Sequence, residues 1–88
     1  MTENSVQCWL VERSYSDENL VSFVYATPDG SRYHQRDLSA NMLFRLDVTA
    51  ARSVPENDLQ PVDDDALRER YASEADRMAS EHAPDDVL

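Results

Sequence analysis

The stretch that decides the fold is LVSFVYATPDGSRYHQRDL, residues 20–38. At its centre stands Pro-Asp-Gly, residues 28–30. Proline fixes φ for a turn, aspartate bonds to nearby backbone amides, and glycine takes the left-handed conformation of a bulged hairpin. The flanking segments are rich in residues that favour strands. The sequence therefore predicts that a strand over 20–27 folds back as an antiparallel strand over 31–38.

The predicted hairpin has two unlike faces. A three-residue loop would place Tyr25 opposite Tyr33. The face expected to contact a helix then carries Val21, Phe23, Tyr25 and Tyr33. The other face carries Arg32, His34 and Arg36, which alternate with their neighbours along the third strand.

Two further strands are predicted around the hairpin. Residues 6–15 are rich in β-branched and aromatic types, and residues 48–54 are β-like and end at a proline. Residues 56–62 are predicted to form a loop. Ser39 can cap a short helical turn over 39–46, although a buried extended segment fits the same apolar residues.

The C-terminal helix has the clearest pattern. Three aspartates at 63–65 place negative charge beside the unsatisfied amides of a helix N-terminus, and the helix is expected to end at 80–82. Its apolar stripe is formed by Leu67, Tyr71, Ala75 and Met78. The elements together predict an α+β fold with an antiparallel sheet of three to four strands and one C-terminal amphipathic helix packed on one face.

Length and composition restrict the possible functions. The 88 residues suffice for a single small domain, predicted over 1–82 and followed by an acidic tail over 83–88. The single glycine, Gly30, excludes the glycine-rich loops that bind nucleotide phosphates. The single cysteine, Cys8, excludes an internal disulfide and a thiolate zinc cage. An acidic start and the lack of a long apolar run favour a cytoplasmic protein without a membrane span.

The overall charge is strongly negative. Acidic residues outnumber basic ones 18 to 8, for a formal net charge of -10, and every basic residue is arginine. Either high-salt adaptation or a GC-rich genome produces this composition. The segments YATPDG (25–30) and DDDALRERYASEADRM (63–78) resemble short acidic haloarchaeal proteins of unknown function. The resemblance implies a high-salt cytoplasm and no particular activity.

Charge is unevenly distributed along the chain. Residues 1–30 carry a net charge of -4, residues 31–53 carry +2, and residues 54–88 carry -8. The positive segment also holds aromatic residues and a histidine, which are side-chain types that contact phosphates and stack on bases. The alternative is that its arginines form ordinary surface ion pairs. The candidate binding residues are Arg32, His34, Arg36, Arg45 and Arg52.

One helix covers only one face of a sheet, so the other face needs a second covering. With the predicted register, the uncovered side would present an interaction surface of Trp9, Val11 and Val24, a patch that soluble monomers seldom expose. Either the 39–46 segment or a second copy of the chain would cover this patch. Of these two, a homodimer is expected, because a domain this small gains stability from added burial.

No pattern predicts a catalytic residue, a metal site or a cofactor. No carboxylate is tied to His34 by spacing, and His82 with Asp85 and Asp86 is not a specific metal site. Cys8 is expected to be buried. The sequence therefore predicts a non-enzymatic protein-interaction or regulatory protein adapted to high salt, with a protein partner or a second copy. The alternative is a nucleic-acid-binding protein that uses the arginine and histidine face of the third strand.

Overall fold

A computed structural model describes residues 4–17, 19–43 and 47–88 of the protein. Within these residues, one antiparallel sheet and a C-terminal helix form the predicted α+β fold. The strands are β1 (Ser5–Asp17), β2 (Leu20–Ala26), β3 (Arg32–Ser39), β4 (Ala51–Pro55) and β5 (Gln60–Pro61), in the sheet order β4-β1-β2-β3-β5. The helices are α1 (Ala40–Leu43) and α2 (Asp65–Glu81), and a 3-10 turn spans Glu56–Asp58.

The β2–β3 hairpin forms where the sequence predicts it, with one more loop residue. The amide of Gly30 donates to the carbonyl of Thr27 at 2.8 Å, and Gly30 has a φ of 72°. The amide of Thr27 donates to the carbonyl of Arg32 at 3.0 Å, so Thr27 pairs with Arg32 rather than with Ser31. Ser31 stays in the turn because its amide and hydroxyl both donate to the carboxylate of Asp29. The predicted three-residue loop is therefore wrong.

The extra loop residue shifts β3 by one position and exchanges its faces relative to β2. Tyr25 lies opposite His34, and Phe23 lies opposite Arg36. Side chains alternate along a strand with a period of two, so a shift of one residue moves all of them to the other face. Tyr33 lies on the face that contacts α2, as predicted, but its predicted pairing with Tyr25 is wrong. Val21, Phe23 and Tyr25 lie on the opposite face, so their predicted place on the helix face is wrong as well.

The carboxylate of Asp29 stabilises the hairpin turn. One of its oxygens accepts hydrogen bonds from the Thr27 hydroxyl at 2.7 Å, the Ser31 amide at 3.0 Å and the Ser31 hydroxyl at 2.7 Å. These bonds lower the pKa of Asp29 from 3.8 to about 2. A carboxyl with a lowered folded-state pKa adds stability above its unfolded pKa, and that stability is lost as pH falls through the folded pKa.

We expect Asp29→Asn to make the free energy of unfolding depend less on pH in the acidic range. Between about pH 4 and about pH 2, the window set by the two pKa values of Asp29, the free energy of unfolding of the wild type should fall more steeply than that of the variant. Urea unfolding at several pH values measures both slopes. The matched control is Asp76→Asn, at an exposed position of α2. Equal slopes for the wild type and Asp29→Asn would contradict this role of the turn.

The two faces of the sheet carry separate apolar clusters. The first lies between the sheet and α2, on what we call the helix face. It is contacted by the predicted α2 stripe, in which Tyr71 and Ala75 are buried and Leu67 and Met78 are partly buried. The buried residues of the second cluster, on the opposite face, are Cys8, Leu10, Val21, Phe23, Tyr25, Leu38 and Val54.

The predicted interaction surface of Trp9, Val11 and Val24 lies beneath α2. The exposed fractions of these side chains are 8%, 9% and 6%. Trp9 pairs with Ala26, and both belong to the helix-face cluster, because α2 covers the opposite side of the sheet from the one expected. The prediction that this patch is exposed is wrong. The reason for expecting a homodimer through it is removed as well.

The protein's own connections cover much of the second cluster. Val48, which precedes β4, packs against this cluster. Leu59, which follows the 3-10 turn, packs against the same cluster. The hydroxyl of Tyr25 donates to the carbonyl of Thr49 at 3.0 Å. These contacts bury the cluster without a second copy of the chain.

The predicted C-terminal helix is confirmed, and of the two alternatives for 39–46 the described residues form the helical one. Asp64 caps α2 by accepting from the amide of Ala66 at 2.9 Å, and the helix ends within the predicted range. Ser39 caps α1 by accepting from the amide of Met42 at 3.3 Å. Residues 44–46 of the predicted helical turn lie outside the described residues.

Among the described residues the sheet has five strands rather than three to four, because part of the predicted 56–62 loop is β5. This strand has two residues and ends in proline, so it leaves no strand pattern in the sequence. The predicted acidic tail also pairs with the sheet edge: the amides of Ala50 and Ala51 donate to the carbonyls of Asp86 and Pro84. None of the described helices is long and apolar enough to cross a membrane.

Candidate anion-binding surface

The arginines of the described strands all lie on the sheet face opposite α2. Arg52 is paired with Cys8, and Arg13 and Arg36 lie on either side of Phe23. Arg32 stands four residues before Arg36 on the same strand and therefore shares its face. We call this the arginine face. Its polar residues are Arg13, Arg32, His34, Arg36 and Arg52.

Acidic side chains of the same strands, where the structure describes them, lie on the helix face. The carboxylate of Glu12 is 3.5 Å from Nη2 of Arg70 and accepts from the hydroxyl of Tyr71 at 3.4 Å. Asp37 accepts from the hydroxyl of Ser22 at 2.7 Å. The sheet thus separates its positive and negative side chains onto opposite faces.

Ion pairing follows the same division. On the helix side, Arg68 pairs with Asp65 at 3.9 Å, Arg70 with Glu12 at 3.5 Å and Arg77 with Glu74 at 2.7 Å. In the described parts of the chain, Arg13, Arg32, Arg36 and Arg52 form no ion pair within 4.0 Å. The alternative that these arginines are ordinary surface ion pairs therefore finds no support among the described residues.

Tyr25 lies on the arginine face, among the arginine side chains. Cζ of Arg52 is 5.8 Å from the centroid of the Tyr25 ring, which is a cation–π distance. Burial raises the pKa of the Tyr25 hydroxyl, while the charges of Arg52 and Arg36 lower it. Two guanidinium groups thus act on one buried ring from different strands.

Cys8 is influenced by an overlapping pair of arginines. Burial raises the pKa of its thiol, while the charges of Arg32 and Arg52 lower it. The side chain is fully buried, as the sequence predicts, and its Sγ lies 3.6 Å from the carbonyl oxygen of Val6. The charges of both Arg32 and Arg52 therefore act on Cys8. Its raised pKa keeps the thiol protonated at neutral pH.

Arg52 holds a buried donor that has no partner. Its Nη1 atom is buried and, within the described structure, makes no hydrogen bond. Leaving a buried donor unsatisfied costs roughly 1–3 kcal/mol, and more for a charged group.

His34 has a different environment from the arginines beside it. Its Nδ1 lies 3.4 Å from the main-chain carbonyl oxygen of Asp58. It borders a shallow depression of about 370 Å³ with Tyr33, Gln35, Asn57, Asp58 and Gln60. In the described structure no carboxylate oxygen forms a hydrogen bond with the ring.

Four of the five predicted binding residues lie on the arginine face, and Arg45 lies outside the described residues. The sequence analysis did not include Arg13 or Tyr25. Arg13 was missed because it lies in the net-negative segment 1–30, outside the positive segment 31–53 that supplied the candidate residues. Tyr25 was missed because the expected hairpin register placed it on the face opposite the third-strand arginines.

A family profile matches residues 1–88. The chain belongs to DUF7967, a family of unknown function. No curated protein and no solved structure matches the chain. The arginine face is the candidate functional site of this DUF7967 member.

Proposed function

We propose that this DUF7967 member is a non-enzymatic interaction protein that binds an acidic partner protein through its arginine face. The observation that carries the proposal is the lack of carboxylate partners around Arg32, Arg36 and Arg52 among the described residues, in a chain with 18 acidic residues. Cations gathered on one face repel one another until an anion lies between them. An acidic protein surface supplies such anions.

The same arginines support a second candidate, a nucleic-acid-binding protein, because guanidinium groups pair with phosphate oxygens. Base stacking has less support, since Tyr25 and Phe23 are each 3% exposed and only Tyr15, at 74%, offers an open ring on the described part of this face. A long nucleic acid would also approach the acidic residues of α2, which would repel its phosphates. These observations favour the acidic protein.

A separate partner is favoured over a second copy of the chain. The helix α2, which carries five acidic residues, lies on one side of the sheet, and the arginine face lies on the other. Docking α2 of one copy onto the arginine face of another is a head-to-tail contact, which leaves one unfilled face at each end and does not close a dimer.

We expect the double variant Arg32→Glu, Arg36→Glu to lose the partner. Its affinity should fall at least tenfold, because two guanidinium contacts become like-charge repulsions. The measurement is cross-linking and capture at native salt, followed by titration of the identified acidic partner against each variant. The matched control, Arg68→Glu with Arg77→Glu, changes net charge equally on the helix side.

Three results would count against this proposal. The first is equal partner binding by the face variant and the wild type. The second is an equal loss in the face variant and the helix-side control, which would indicate a net-charge effect. The third is retention of the wild type, but not the face variant, on a single-stranded oligonucleotide at the same salt, which would favour the second candidate.

We also propose that the protein is adapted to high salt and works in the cytoplasm. A net charge of -10 makes the folded chain repel itself, and salt screens that repulsion. The helix α2 carries five acidic residues against three arginines, which concentrates negative charge on one side. The free, buried Cys8 suits a reducing compartment.

Raising KCl from about 0.1 M to about 2 M, where the Debye length falls from about 10 Å to below about 3 Å, should stabilise the fold. A gain of about 2 kcal/mol corresponds to a Tm higher by roughly 8–16 °C for a domain of this size. Thermal unfolding by circular dichroism measures the shift. A variant with Glu69→Gln and Asp76→Asn should begin more stable at low salt and gain less. A Tm that does not rise with KCl would contradict the salt adaptation.

A further inference from the structure

The guanidinium of Arg52 is held in place before any ligand binds. Its Cζ lies 5.8 Å from the centroid of the Tyr25 ring, and Tyr25 is itself fixed by its hydrogen bond to the carbonyl of Thr49. The Nη1 atom is buried and unpartnered, while the side chain as a whole is only partly buried. A cation that is already ordered loses little entropy when it binds an anion.

Arg32 and Arg36 lie on the same face of the sheet as Arg52. They lie on β3, and His34 between them is paired with Tyr25. At about 3.3 Å per residue their Cα atoms are roughly 13 Å apart. Arg52 enters from β4, on the other side of β1 and β2. On this one face, Arg36 and Arg52 therefore act on Tyr25 from opposite directions along the strand order, and Arg32 and Arg52 act on the neighbouring Cys8.

We propose that this site binds a phosphate monoester carried on a serine or threonine side chain of the acidic partner. This inference rests on the proposed function and specifies the anion at its centre. The site offers three guanidinium groups that have no carboxylate partner among the described residues. A phosphate monoester carries about -1.5 to -2 charges at pH 7 and three strong acceptor oxygens, whereas a carboxylate carries a single charge.

High salt favours a compact dianion as the ligand. At about 1 M salt the Debye length is only about 3 Å, so charges that do not touch contribute little to binding. Binding must then come from direct, charge-assisted hydrogen bonds, and the forked donors of arginine form these in pairs with phosphate oxygens. A phosphate group is also small enough to approach a partly buried guanidinium such as that of Arg52.

The test uses ¹⁵N-labelled protein at constant ionic strength, titrated with capped phosphoserine, capped glutamate and inorganic phosphate. The signals observed are the arginine side-chain Nε–Hε resonances, which report on each guanidinium directly. We expect phosphoserine to shift the Arg32, Arg36 and Arg52 signals and to bind at least tenfold more tightly than glutamate. Arg52→Gln should weaken phosphoserine binding at least tenfold, while Arg77→Gln on the helix side should leave it unchanged.

Variants of Arg52 that fail to fold do not block the test, because Arg36→Gln alters a residue of the same site and the wild-type shifts stand by themselves. Absence of phosphoserine-induced shifts at all three arginines would overturn the inference. Glutamate binding as tight as phosphoserine would also overturn it, while leaving the acidic-partner proposal intact. Tighter binding of a 5′-phosphorylated oligonucleotide than of phosphoserine would reject both in favour of the nucleic-acid candidate.

Discussion

Replacing Gly30 with alanine is expected to remove more than about 3 kcal/mol of folding free energy. Gly30 has a φ of 72°, and a left-handed conformation costs a non-glycine residue roughly 1–2 kcal/mol. A Cβ at this position would also collide with the carbonyl oxygen of Arg68 and lie 2.7 Å from the amide nitrogen of Ala72. Both contacts are with the backbone of α2, so no side-chain rotation relieves them.

Gly30→Asn separates the two causes. Asparagine tolerates the left-handed region better than alanine does, but it carries a Cβ. If the contact with α2 dominates, Gly30→Asn should be destabilised nearly as much as Gly30→Ala in urea unfolding. An asparagine variant within about 1 kcal/mol of the wild type would show that only the turn conformation requires glycine.

Trp9→Ala is expected to cost about 3–5 kcal/mol, the range for truncating a buried large aromatic side chain. Trp9 is 8% exposed and lies in the helix-face cluster with Tyr71 and Ala75 of α2. Its removal leaves a cavity between the two layers that the surrounding side chains fill only in part. Chemical unfolding followed by circular dichroism gives the free-energy change.

Tyr15→Ala is the matched control, since it truncates an aromatic residue on the same strand that is 74% exposed. Its effect should stay within about 0.5 kcal/mol. If Trp9→Ala were equally mild and instead changed the sedimentation coefficient, Trp9 would belong to an intermolecular surface, and its position beneath α2 would be contradicted.

These two variants affect the same contact region between the hairpin and α2. The turn at Gly30 contacts the backbone of α2 directly, and the helix face below it is filled by Trp9 and its neighbours. With the helix fixed on that face, the arginines are left on the other. The charge separation proposed to serve binding is therefore a consequence of which face the helix covers.

The sequence predicted much of the candidate site but not its surroundings. Arg32, His34 and Arg36 alternate along one strand, so any register keeps them together. Their relation to Tyr25 depends on whether the loop has three or four residues, which hydrogen bonds to Asp29 decide. Arg52 joins them only because β4 pairs with β1, a long-range contact that leaves no local pattern.

Local physical chemistry was sufficient to determine the hairpin, the limits of α2 and its apolar stripe, because turn residues, caps and side-chain periodicity act over a few neighbouring positions. Tertiary structure decided the strand order, the two-residue β5 and the side of the sheet that α2 covers. Both faces of β1 and β2 are apolar enough to be buried, so their patterns did not distinguish which one meets the helix. The register of one hairpin and the close approach of α2 to Gly30 resolved that choice and left the arginines together on the opposite face.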